Sequence, residues 1–177
     1  MRVAGEHGGR QMVRVDNRED YAGLHALPFD GRDFYLTEFV DCADADGFCH
    51  RQRLVVIDGE PILRGWLYDK SWKVHGASRS FMLTRETWED DSRRSRWLEK
   101  EVLPPLKPAI GEITRRLQLE YYGIDCKVDP DGRMLVFEAN ANMNILTNDH
   151  AELNARMQRI EKRIQDMLVG YSGERVI

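Results

Sequence analysis

The sequence predicts an α+β fold in which helices are laid on antiparallel β hairpins. Three observations carry that expectation. Two pairs of β-rich runs are each joined by a tight turn, one at Asp58 and Gly59 and one spanning Asp129 to Gly132. Outside those runs the apolar period lengthens to that of a helix. No internal repeat, low-complexity tract or linker divides the chain, which points to one unit over 1–177.

The elements follow in order. Residues 1–33 are rich in glycine and charge, and Gly5, Glu6, His7, Gly8, Gly9 and Arg10 read as a flexible loop entering a strand at 12–15. A short helix over 18–27 is closed by Pro28. Residues 34–41 form a β-rich run, followed by an acidic turn at Asp44, Ala45, Asp46 and Gly47. Runs 51–57 and 61–68 then make the first hairpin. From Thr84 onward the pattern is helical, with Thr84 or Thr87 as cap. Glu89 and Asp90 stand four residues before Arg93 and Arg94, while Trp88, Trp97, Leu98 and Val102 supply the apolar side. Pro104 and Pro105 are expected to end this helix, and a second begins near Pro108, carrying Ile110, Ile113, Leu117 and Leu119. Strands over 121–128 and 133–139 make the second hairpin. A final amphipathic helix has Asp149 as cap, Glu152 three residues on, and the stripe Leu153, Met157, Ile160, Ile164 and Met167. That stripe is expected to pack on the sheet, because a dimerising coiled coil needs more heptads.

Composition bounds the function classes. The 177 residues are 42% apolar and 32% charged, ordinary for a globular chain and unlike a disordered one. A formal net charge of −4 offers no global field for a polyanion, so nucleic acid is not a favoured partner. No apolar stretch approaches the roughly 20 residues of a membrane span, and the polar N-terminus lacks a signal-peptide core. No membrane partner is expected, and a cytoplasmic location is the default. Cys42, Cys49 and Cys126 are three in number without CxxC spacing, which suits neither a disulfide framework nor a zinc knuckle; reduced, buried thiols are expected.

The chemistry concentrates in the second hairpin. Glu138 and Asn140 share one face of their strand, because side chains alternate across a sheet. Counting back through the turn places Asp125 opposite Glu138, so Asp, Glu and Asn oxygens converge in a donor set that suits Mg²⁺. A solvated polar face on a half-buried hairpin is the alternative that spacing leaves open. Arg53 alternates onto the same face as Arg51 in the first hairpin. The acidic turn is no EF-hand loop: with Asp44 and Asp46 at its third and fifth positions, the first would be Cys42 and the twelfth Arg53. Arg93, Arg94 and Arg96 are interleaved with acids and read as a solvated helix face.

Gly123, Ile124 and Asp125, followed by Leu135, Val136, Phe137, Glu138, Ala139 and Asn140, resemble the metal-binding segment of ATP-grasp ligases, the family of glutathione synthetase, D-alanine–D-alanine ligase and ribosomal-protein glutamate ligases. Further segments fit in order. The glycine-rich run at 5–10 resembles the loop that covers the phosphates. Residues 35–41 resemble the strand that contacts adenine and ribose, 51–59 a hairpin with a basic residue aimed at phosphate, and Trp72 to His75 a WxxH-like segment of one subgroup.

The resemblance implies a partial ATP-grasp fold and an ATP- and Mg-dependent carboxylate–amine ligase working through an acyl phosphate. Asp125, Glu138 and Asn140 would hold metal, with Arg53 offsetting developing charge as catalytic residue and phosphate contact. Gly8 and Gly9 would cover the phosphates, Glu38, Phe39 and Val40 would line the base, Asp41 would meet the ribose, and His75 would contact phosphate or substrate. The match runs to about Asn144 but begins in the middle of the family's domain, so the expectation is that a substrate-binding region and an early lysine-bearing strand are lacking upstream of Gly5. A protein partner or a second copy would supply them. The other class of function implied is a non-catalytic nucleotide-binding or interaction module.

Overall fold

The computed structural model describes residues 1–6, 9–85, 88–129, 131–145 and 151–174. Gly8, Thr87 and Asp149 therefore lie outside the described residues.

The molecule is α+β with antiparallel sheets. Among the described residues, β1 (Arg2–Val3) pairs with β2 (Phe34–Tyr35), and β3 (Cys49–Ile57), β4 (Glu60–Asp69), β5 (Tyr121–Val128) and β6 (Met134–Asn140) form a sheet in the order β4-β3-β5-β6. Both expected hairpins are present. Asp58 and Gly59 turn the first with φ of 50° and 75°, the pair of left-handed residues that a two-residue hairpin turn requires. In the second, Asp129 and Arg133 close the turn through a 2.9 Å backbone bond.

Three stretches differ from the sequence expectation. Of residues 34–41 only Phe34–Tyr35 is strand, because no strand among the described residues pairs with the segment beyond it and Leu36 is 84% exposed. Met12 makes a single bridge to Arg2, so the expected strand at 12–15 is absent as well. Pro104 and Pro105 do not end a helix: α2 (Trp88–Trp97) runs through a π-helical turn, Leu98–Val102, straight into α3 (Leu103–Leu117). The two prolines fall in the first turn of α3, where a missing N–H costs least, and the widened π turn before them accommodates the irregularity. Thr84 caps the C-terminal end of a short helix that periodicity did not reveal, α1 (Ser78–Leu83), with its hydroxyl donating to Phe81 O at 2.7 Å. The helix at 18–27 is a 3₁₀ helix, Arg18–Ala26, started by a capping box at Asn17.

Alternation divides the sheet into two faces. One carries Leu54, Val56, Trp66, Tyr122, Ile124 and Cys126 and packs on Met82, Leu98, Leu103, Leu106 and Ile110 of the α1-to-α3 layer. Within it Trp66 Nε1 is a buried side-chain donor without a partner among the described residues, a cost of about 1–3 kcal/mol set against the ring's stacking on His50 and Tyr68. The opposite face is apolar at one end only, where Val55 and Ile57 take Met157 and Ile160 of α4 (Ala151–Glu174). The terminal stripe thus packs on the sheet as expected, and the other end of that face is left polar.

Two features hold this arrangement. The first is the open side of edge strand β4, whose carbonyls at Arg64 and Trp66 accept from Arg156 and Arg79 at 3.4 and 3.3 Å. Asp91, 4% exposed, ties these arginines together, at 3.0 Å from Arg79 and 3.7 Å from Arg156. The second is Gly123. A Cβ there would overlap Met143 Cε and lie 3.0 and 3.1 Å from Met143 Cβ and Cγ. Only glycine lets residues 141–145 lie against β5. Gly123→Ala is expected to cost about 1–3 kcal/mol by overpacking, read as a lower urea midpoint, and to cost clearly less in a Met143→Ala background. Equal costs in the two backgrounds would remove Met143 from the explanation.

Candidate functional site

At the polar end of the α4 face the register lines up one row across the sheet: Gly65 of β4, Arg53 of β3, Asp125 of β5 and Glu138 of β6. Asp125 does stand opposite Glu138, and Asn140 follows two residues on, opposite Gly123.

Asp125 is the centre of the row and is 2% exposed. Its Oδ1 accepts from Arg53 Nε at 2.7 Å, and its Oδ2 accepts from Arg53 Nη2 at 2.8 Å and from Arg51 Nη2. Burial alone would raise this carboxyl; the hydrogen bond from Arg53 and the charges of Arg51 and Arg53 outweigh it and hold the group below the usual carboxylate range. The Arg53 fork is bidentate, the stronger geometry for such a pair. Arg51 also donates to Val74 O at 3.0 Å, fastening the 72–75 loop beside the row.

Next to this pair opens a cleft of about 280 Å³, lined by Arg51, Arg53, Arg64 and Arg79 with Leu67 and Met157 at its sides. Arg64 is the extra residue of a β-bulge: Arg53 faces Gly65 while Leu54 faces Leu63, so Arg64 has no partner on β3. Bulges re-aim side chains in this way. Its Nε donates to Asn144 O, and among the described residues it has no carboxylate partner. Burial first, then the charge of Arg53, pushes this guanidinium below its ordinary value, against the pull of Asp125. It stays charged at neutral pH all the same.

No cluster of three or more His, Cys, Asp or Glu side chains occurs among the described residues. The acids of the row are Asp125 and Glu138, with the Asn140 amide beside them. Two carboxylates and an amide oxygen suit Mg²⁺ in kind, since that ion keeps water and substrate oxygens for its other positions. Three guanidinium bonds occupy most of the lone pairs of Asp125, whereas Glu138, half-buried, has no hydrogen-bond or ion-pair partner among the described residues. Asn140 Oδ1 accepts from Asn142 N at 2.8 Å.

The remaining expected site residues lie elsewhere. Gly9, with φ of 71°, sits in the loop between Val3 and Gln11, whose backbones bond at 3.2 Å. Glu38, Val40 and Asp41 are exposed, and Asp41 Oδ1 accepts from Ala43 N at 3.0 Å. Phe39 has the Arg14 guanidinium 3.6 Å above its ring and Trp72 at its edge. His75 Nδ1 accepts from Ala77 N at 3.2 Å, ahead of α1. Lys73 Nζ donates to Met12 O at 2.7 Å, so Met12, Phe39 and the 72–75 loop gather around the Arg51 side of the row.

Sequence reasoning missed Arg64, Arg79, Asp91 and Arg156. An arginine inside the apolar run 61–68 was the available signal for Arg64. The Arg93–Arg96 face is only partly solvated, because Arg94 lies 4.5 Å from the Trp66 ring centroid. Asp44 serves its own turn, accepting from Asp46 N and Phe48 N at 3.0 and 2.9 Å and meeting His50 at 2.7 Å. Cys42, Cys49 and Cys126 are free thiols, and burial pushes Cys49 up to about 11 and Cys126 up to about 12. Among the described residues no helix is long and apolar enough to cross a membrane. Comparison of the chain with protein-family models, with curated proteins and with solved structures finds no match.

Proposed function

We propose that the chain binds Mg-ATP on the polar end of the α4 face and works as the nucleotide-holding part of an ATP-grasp carboxylate–amine ligase. The observation that carries this reading is the row Arg53, Asp125 and Glu138, which sets cation beside paired carboxylates on adjacent strands. It is the order needed when phosphate oxygens are shared between a metal and a guanidinium.

In this reading Glu138 and Asn140 offer oxygens to the ion, together with the remaining lone pair of Asp125. Bound there, Mg²⁺ would neutralise phosphate charge and orient the chain of phosphates for in-line attack. Asp125 fixes the Arg53 fork so that Nη1 of Arg53, which has no partner among the described residues, stays available to phosphate oxygen. Arg51 bridges Asp125 and the 72–75 loop and adds a second cation. The reaction is attack of a carboxylate on the γ-phosphorus, with ADP leaving, followed by displacement of phosphate from the acyl phosphate by an amine. The side chains supply position and charge, not a covalent nucleophile.

Mg²⁺ with a non-hydrolysable ATP analogue at about a hundred times Kd is expected to stabilise the fold by about 2.7 kcal/mol, a rise in Tm of roughly 5–10 °C. Glu138→Gln should remove the Mg-dependent part of that rise while leaving the ligand-free Tm within a degree or two. No rise for the wild type at millimolar Mg-ATP would overturn the reading. One observation favours a non-catalytic version, namely that Asp125 is already held by two arginines. Steady ADP release by the purified chain excludes that version.

A further inference from the structure

The bulge on β4 delivers a guanidinium that has no ion-pair partner of its own among the described residues, since the acid that acts on it, Asp125, is already held by Arg51 and Arg53. Arg64 Nη1 and Nη2 have no hydrogen-bond partner among the described residues, and neither does Nη1 of the adjacent Arg53. Holding an arginine half-buried beside another arginine is unfavourable unless an anion completes the site. Position narrows the choice of anion. The donors for metal lie on β5 and β6, Arg53 stands between, and Arg64 enters from β4 at the far side. Neighbouring strands are about 4.8 Å apart, so the β4 backbone lies roughly 10 Å from that of β5 and roughly 14 Å from that of β6, which carry the metal-side acids. A phosphate shared by metal and Arg53 leaves the Arg64 fork to a different group, and a planar fork with both Nη atoms open matches a carboxylate.

We propose that Arg64 is a specificity residue that binds a carboxylate of an acidic substrate, one bearing a second carboxylate besides the group that is activated. The proposal rests on the Mg-ATP reading for the ligand next to it, while the recognition itself needs only the cleft. Substrates of this class are dicarboxylic acids and acidic peptide side chains.

Titration calorimetry with glutarate as probe, in the presence of Mg²⁺ and the non-hydrolysable ATP analogue, tests the assignment. Arg64→Met is expected to weaken glutarate about ten- to a hundredfold, the loss of a charge-assisted fork, while nucleotide affinity changes less than about twofold. Arg64→Lys, which keeps the charge without the fork, should fall between. The melting temperature of Arg64→Met should equal or exceed that of the wild type, since the charge crowded by Arg53 is removed. If Arg64→Met weakens nucleotide or inorganic phosphate as much as glutarate, Arg64 belongs to the phosphate site and the proposal falls. It falls equally if nucleotide binds and glutarate does not. If nucleotide fails to bind, the ligase reading fails, and Arg64-dependent glutarate binding still upholds this inference, whereas its absence ends it.

Discussion

Asp125→Ala is expected to lower stability by about 3–5 kcal/mol, among the largest effects of any single substitution in this chain. The carboxylate is 2% exposed and receives three hydrogen bonds from Arg51 and Arg53, whose side chains are themselves 22% and 33% exposed. Removing it strands two poorly hydrated guanidiniums beside Arg64 with Glu138 as the nearest remaining acid of the row. Urea unfolding should show a lower midpoint with an unchanged slope, and an unaltered midpoint would refute the account. Arg53→Met combined with Asp125→Ala should cost less than the sum of the single changes, because the pair is lost together.

The same group sets the acid limit. The native pKa of Asp125 lies below its unfolded value, so its contribution is complete above the ordinary carboxylate value of about 3.9 and is lost as pH falls through the native one. Wild-type unfolding midpoints should therefore decline as pH falls below about 4. Asp125→Asn, which has no such proton to gain, should decline less steeply. Parallel curves for the two proteins would assign the acid sensitivity elsewhere.

Asp91→Ala is the second large effect, again about 3–5 kcal/mol or roughly 10 °C in Tm. Asp91 is the acid joining Arg79 and Arg156, and those two cover the open carbonyls of β4 on either side of Gly65. Without it the arginines repel each other in a site where Arg156 is 11% exposed. The expected consequence reaches the cleft as well, since the strand being held is the one whose bulge presents Arg64. Glutarate affinity should fall with the Tm in Asp91→Ala and recover partly in Asp91→Asn, which keeps the shape and one acceptor. A loss of stability with unchanged glutarate affinity would show that β4 keeps its bulge without the clamp.

Much of this architecture is legible residue by residue. Asp58 and Gly59 tolerate the left-handed backbone that a two-residue turn needs, and that marks the β3–β4 hairpin in the sequence. The turn at Asp129 to Gly132 then determines by counting that Asp125 faces Glu138. The spacing of Met157, Ile160, Ile164 and Met167 determines which side of α4 meets Val55 and Ile57. Other features depend on partners distant in sequence. Residues 36–41 have strand composition, but a strand exists only where another pairs with it. Pro104 and Pro105 break helices in isolation, yet a π turn lets the chain pass through them. Asp91 and Arg156 are ordinary charged helix residues until β4 brings its bare edge between them.

By itself, then, the sequence determined the two hairpins, the apolar stripe of α4 and the pairing of Asp125 with Glu138, because turn chemistry and side-chain period act over a few residues. Only the tertiary structure decided that Arg51 and Arg53 close on Asp125 and that a bulge turns Arg64 into the cleft beside Arg53. Strand order and register are collective properties of the folded sheet. Whether a buried charge finds its counter-charge is settled there.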